Sequence, residues 1–144
     1  MTTSTIRILI EAIEARMVEL GFTATNTVFD FDAVPDSIIH EAFRIENRII
    51  ENRYNMDNRA NPREEIAIWI AYKEKRDARA AWKAGLDDRE IIEDDLVNDP
   101  TIMALDSDPL LALDSEASSQ KYLKGYLVSK LAFTADYLRT MSGG

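Results

Sequence analysis

Between residues 3 and 20 apolar side chains return at every third or fourth position. Ile6, Leu9, Ile10, Ile13, Met17 and Leu20 form one stripe, and Arg7, Glu11, Glu14, Arg16 and Glu19 fill the opposite side. That is the 3.6-residue period of an amphipathic helix. Thr3 or Ser4 stands where a side-chain oxygen caps the first turn, and Gly21 where a left-handed residue ends the last. The period then drops to two. Val28-Phe29-Asp30-Phe31-Asp32 reads as a short strand within 27–32, phenylalanines on one face and aspartates on the other, broken by Pro35-Asp36. A second extended run starts near Ala42, where Phe43 and Ile45 alternate with Arg44 and Glu46. The alternation slips at Ile49-Ile50, which predicts a bulge or a strand end.

Asn55 to Pro62 is a polar turn segment. From Glu65 to Tyr72 the alternation is strict, with Ile66, Ile68, Ile70 and Tyr72 on one face and Ala67, Trp69 and Ala71 on the other. With both faces apolar, this predicts a central strand covered on both sides. Residues 42–54 and 65–76 then form the arms of a long antiparallel hairpin. After the charged run from Lys73 to Arg79, Asp77 is placed to cap a second helix over about 78–98, ended by Asp99-Pro100. Its apolar edge is Ala78, Ala81, Trp82, Gly85, Ile92 and Leu96, and Gly85, worth ~1 kcal/mol less than alanine there, marks a place for a bend or break. The segment from about 99 to 120 reads as a loop with a short helical turn, packed by Ile102-Met103 and Leu110-Leu111-Ala112-Leu113. For 121–138 both strand and helix patterns fit, and Leu131–Tyr137 carries the cleaner strand alternation, so one strand is expected there.

The order α-β-β-β-α-β, with a hairpin at its centre, predicts an α+β class. One domain over 1–144 is expected, a mainly antiparallel sheet with two amphipathic helices on one face.

The chain has 144 residues, enough for one domain to bury roughly 68–70% of its unfolded surface. With 26 Asp and Glu against 17 Lys and Arg, the formal charge is −9. That excludes a sequence-reading nucleic-acid binder and a polybasic membrane-surface module, both of which need a basic face. The absence of cysteine removes disulfides, thiolate catalysis and cysteine metal sites. The start has no basic, long-apolar signal pattern, and no apolar run approaches the ~20 residues that span a bilayer. A cytosolic, soluble protein is the expectation at this point.

Catalytic patterns are missing. There is no glycine-rich phosphate loop and no G-x-S-x-G elbow. His40 is the sole histidine, which excludes a multi-histidine metal site, and a structural role for it outweighs that of a general base. Asp30 and Asp32, two apart on one predicted strand face, have the spacing for an acid and a base or for two metal oxygens. A solvated strand face is the simpler reading. The cluster Asp87, Asp88, Glu90, Glu93, Asp94 and Asp95 lacks EF-hand spacing and reads as a solvated helix face. Trp69 and Trp82 read most simply as core residues, with an aromatic anchor at a protein interface as the alternative. No catalytic, cofactor or metal site is therefore expected.

The hairpin is more suggestive. Arg44, Arg48 and Arg53 alternate with Glu46, Glu51 and asparagines, and the turn adds Arg59 and Arg63. A mixed-charge, arginine-rich hairpin suits a surface that pairs with copies of itself, and an ordinary solvated hairpin is the plainer alternative.

Taken together, these features resemble the tail terminator (tail completion) proteins of long-tailed, non-contractile bacteriophages. The resemblance rests on the N-terminal helix, on Val28–Pro35 leading into Ala42-Phe43-Arg44-Ile45, and on the hairpin through Met56–Pro62. The Ile66–Tyr72 strand, the second helix and the strand around Leu131–Tyr137 complete it. The segment 100–119 departs from the pattern by its length. The resemblance implies a non-enzymatic virion protein at the head-tail junction, assembled in the host cytoplasm. It implies a homohexameric ring that caps the head-proximal end of the tail tube, stops tube polymerisation and meets a head-side connector protein. Its partners would be itself, the tail tube protein and that connector, with DNA only as cargo through the lumen and no membrane. Six copies would carry −54 formal charges, a field that repels DNA phosphates from the wall. Arg44, Arg48, Arg53, Tyr54, Arg59, Arg63 and Trp69 are the residues expected at the subunit or partner interface. A head-completion or neck protein and a small acidic adaptor are the alternatives, with a carboxylate enzyme using Asp30 and Asp32 behind them.

Overall fold

The computed structural model describes residues 3–55, 57–73 and 77–141. The first helix, α1 (Thr5–Glu19), starts where Ser4 Oγ accepts from the Arg7 amide and ends at Gly21, whose φ of +104° only glycine adopts at low cost. After β1 (Thr23–Ala24) and a long loop come β2 (Ala42–Tyr54) and β3 (Arg59–Lys73). The second helix, α2 (Ala78–Asn98), is capped by Asp77 Oδ1, which accepts from the amides of Arg79 and Ala80. A short helix α3 (Pro100–Met103) follows, with Asp99 accepting from Ile102 N at 2.9 Å. The chain closes with β4 (Leu110–Leu113), β5 (Ser119–Leu123), β6 (Tyr126–Asp136) and β7 (Arg139–Thr140).

Among the described residues the strands form one sheet ordered β1-β2-β3-β6-β4, with β5 also on β6 and β7 on β3. Every pairing is antiparallel except β1 with β2. This is the expected α+β domain. The strand β3 lies at its centre, and its two faces have two separate apolar partners. Ile66, Ile68, Ile70 and Tyr72 pack with Leu9, Ile13 and Met17 of α1 and with Ile92 and Leu96 of α2. Both helices therefore lie on one face, as their apolar stripes require. Ala67, Trp69 and Ala71 instead meet Phe29 and Ile38 of the loop before β2. Each fully buried leucine, isoleucine or phenylalanine here contributes about 1.5–3 kcal/mol.

The predicted bulge is present: the β2–β3 register shifts between Ile49 and Glu51. Five local readings are corrected. Residues 27–32 are not a strand, because the Asp30 carboxylate accepts from the amides of Asp32 (2.8 Å) and Ala33 (3.2 Å) and closes a turn. Asp30 and Asp32 thus share no strand face. The arm after the turn begins at Arg59 rather than 65, since Tyr54 pairs with Ala60 and Asn58 takes the turn's positive φ of 60°. Leu110–Leu113 is a strand on β6 rather than loop. The segment 121–138 holds most of a hairpin, β5–β6, turned at Lys124-Gly125 with Gly125 at φ +80°. Finally, α2 passes Gly85 unbroken. Met56 in the turn and residues 74–76 at the expected hairpin end lie outside the described residues.

Candidate functional site

The first hairpin pairs β2 with β3 from Ala42–Ala71 to Tyr54–Ala60. On its other side β2 has a neighbour only at its start, where β1 pairs with Ala42 and Phe43 and the Thr25 amide reaches Phe43 O at 2.9 Å. From Arg44 to Tyr54 the outer edge of β2 has no strand beside it among the described residues. At ~3.3 Å per residue this edge is on the order of 35 Å long. Residues 46–52 are all exposed, including Ile49 (59%) and Ile50, and Tyr54 is exposed at the end. An open edge carrying large apolar side chains is a template for pairing with another chain.

The expected interface residues divide into two groups. Arg44 and Trp69 lie inside the subunit. Arg44 Nε donates to Phe29 O at 2.8 Å and its Nη1 to Glu46 Oε2 at 3.0 Å, while its guanidinium sits 5.1 Å from the Trp69 ring. Trp69 is 6% exposed, donates its indole N–H to Glu46 Oε1 at 2.9 Å and meets Phe31 edge-on. Burial alone would raise the Glu46 carboxyl, but the hydrogen bonds from Arg44 and Trp69 outweigh it and hold the group below its ordinary range. This cluster pins the 26–38 loop to the sheet and leaves Arg44 and Trp69 little surface for another chain.

The other five stand outward. Arg48, 69% exposed at its side chain, reaches Glu65 at 3.3 Å, and Lys130 lies 3.6 Å from the same carboxylate. Arg53 and Arg63 both reach Asp136 Oδ1, at 2.7 and 3.1 Å. Arg59 lies 3.7 Å from Asp57, and Tyr54 accepts from Asn52. Exposed pairs of this kind stabilise a fold by only ~0–1 kcal/mol each, and a guanidinium with one bonded N–H keeps other donors for a partner.

One feature escaped the sequence reading. Glu64 is 2% exposed; its Oε1 accepts from Asn47 Nδ2 at 2.8 Å and its Oε2 from the Tyr137 hydroxyl at 2.5 Å. Burial first, and then the carboxylate, push the Tyr137 phenol above its usual range. The signal was present: stepping back by two from Ile66 puts Glu64 on the helix-facing side of β3.

The remaining candidates are used locally. His40 Nδ1 accepts from the Lys73 amide at the turn into β2. Trp82 packs half-buried on Tyr122, ring centres 5.2 Å apart. In the acidic cluster, Asp88 accepts from the Tyr72 hydroxyl, and Asp95 takes a two-pronged contact from Arg16 at 2.9 and 3.0 Å. Among the described residues no helix is long and apolar enough to cross a membrane. No protein-family model matches this chain, and no curated protein matches its sequence.

Proposed function

We propose that this chain is a structural subunit that works by assembly. Six copies form a ring that caps the head-proximal end of a phage tail tube, stops its polymerisation and offers a face to the head-side connector. The reading makes it a virion protein whose partners are its own copies, the tube protein and the connector, with DNA passing as cargo. The observation that carries it is the hairpin: a 13-residue strand with an open, exposed edge and outward arginines, more than a monomer's sheet requires. The overall α+β order agrees with the resemblance, and the net −9 suits a conduit that must not retain DNA.

Native mass across a concentration series, with and without millimolar Mg²⁺, followed by negative-stain imaging, tests the reading. A six-fold ring with a central hole is expected. Arg48→Glu and Arg59→Glu should each abolish the ring and tail completion while far-ultraviolet circular dichroism stays unchanged. A two-fold dimer at all concentrations would overturn the proposal, because a closed isologous contact leaves no surface for a ring.

A further inference from the structure

The sheet has a second open edge. Both β4 and β5 lie on the same side of β6 and run in the same direction, with β4 opposite residues 133–136 and β5 opposite 126–130. Asp114 N bonds Ala132 O, and Ser118 Oγ accepts from Ala132 N, so the short 114–118 link stays beside β6. No strand lies beyond β4 among the described residues, and Leu110 and Ala112 are exposed. One subunit therefore ends in an unpaired strand on each side.

The two edges differ in charge. Residues 42–73, the first hairpin, carry six basic and five acidic side chains, one of the acids being the buried Glu64. Residues 77–116 carry twelve acidic and three basic ones, a net of −9 that equals the charge of the whole chain. That segment contains β4 and also α2, which packs over β6, β4 and β5 and, by helical spacing from Asp95 on its α1 side, turns Glu90 and Glu93 toward this second edge.

We infer that the β2 edge of one copy adds to the β4 edge of the next, so that the sheet continues from subunit to subunit with hairpin arginines against the acidic flank. The inference rests on the ring reading and names the surface that receives the hairpin. Three arguments select a second copy as the occupant. Pairing β4 with β4 would oppose two acidic flanks, and like charges across strands are destabilising. Pairing β2 with β2, in the register that sets Arg48 against Glu51 and Arg53 against Glu46, closes a two-fold dimer, which the ring reading excludes. Pairing β2 with β4 joins unlike charge, which favours encounter and fixes register. It is also heterologous, so it propagates or closes into a ring rather than stopping at two. The lengths agree: the bulge after Ile49 leaves residues 44–49 as the straight part of β2, and β4 has four residues to receive.

The chain has no cysteine, so introduced ones report a single contact. Arg48 and Ala112 share one face of the sheet; Ile49 and Leu113 share the other. Facing residues in paired strands have Cβ atoms ~4.5–5.5 Å apart, within reach of a disulfide or a short bismaleimide. Arg48→Cys with Ala112→Cys tests one antiparallel register and Ile49→Cys with Leu113→Cys the register two residues away, and one of the two pairs should give a ladder of covalent multimers. Each single variant should give none. Dimers from Arg48→Cys or Ala112→Cys alone would overturn the inference. Rings by native mass with no ladder in either pair would also overturn it while the ring reading stands. A ladder of open chains without a six-fold ring would keep the edge contact and discard the ring. Neither rings nor ladder would discard both.

Discussion

Arg44 shows how much a single side chain is asked to hold. It joins the 26–38 loop, through Phe29 O, to a carboxylate and an indole on the sheet. Arg44→Ala should cost about 2–3 kcal/mol near neutral pH, the cost of a lost charge-assisted hydrogen bond and its packing. The pH dependence has a definite sign. Glu46 is held below its unfolded value, so its contribution is present above the ordinary carboxylate range and fades as pH falls through the lowered folded value. Urea denaturation at pH 7 and pH 3 should therefore show a smaller difference between wild type and variant at the acid end. Gly85 sets a different test. A Cβ there would clash with Gln120 Oε1, which is buried and has no hydrogen-bond partner among the described residues. Gly85→Ala alone should be near neutral, because moving Gln120 sacrifices the Nε2 bond to Trp82 O and offsets the helix gain. In a Gln120→Ala background the same change should gain ~1 kcal/mol, and a double-mutant cycle measures the coupling.

Among the elements, α1 owes its place to one stripe and one clamp. Leu9, Ile13 and Met17 are fully buried against β3 and α2, and Arg16 ties the last turn to Asp95 and Asp99 near the end of α2. Leu9→Ala should lose ~2–5 kcal/mol, whereas Ile8→Ala, on the half-exposed side, should stay within ~0.5 kcal/mol; thermal denaturation separates the two. The elements that sequence reading placed were those whose period persists over many residues, namely α1, α2, β2 and β3. It misread the short ones. At 27–32 the Asp30 carboxylate supplies bonds within the chain that a strand would have sought from a neighbour. At 110–113 four residues are too few to display a period, and only the free edge of β6 makes them a strand.

For the molecule as a whole, stability and assembly should respond differently to salt. The fold is held mainly by two apolar clusters on opposite faces of β3, while the hairpin ion pairs are largely exposed. Raising ionic strength to 1 M shortens the screening length from ~10 Å at 0.1 M to ~3 Å. Native mass should then show dissociation of the assembly, with the urea midpoint of the monomer little changed. Loss of monomer stability in parallel would place the arginines in the fold rather than at the contact.

Sequence by itself determined the class, the central strand, the two helices on one face and the bulged hairpin. Those follow from period and from turn chemistry, which are local. The outward placement of Arg48, Arg53, Arg59 and Arg63 could also be read there, since charged groups on a half-exposed strand face water. Tertiary structure decided the rest. Trp69 and Arg44 belong to the interior because a loop with no period of its own folds over them. Glu64 is buried because Asn47 and Tyr137, far apart in the chain, converge on its two oxygens. Which strand edges remain open depends on pairings between distant segments, and no local pattern records a neighbour that is absent.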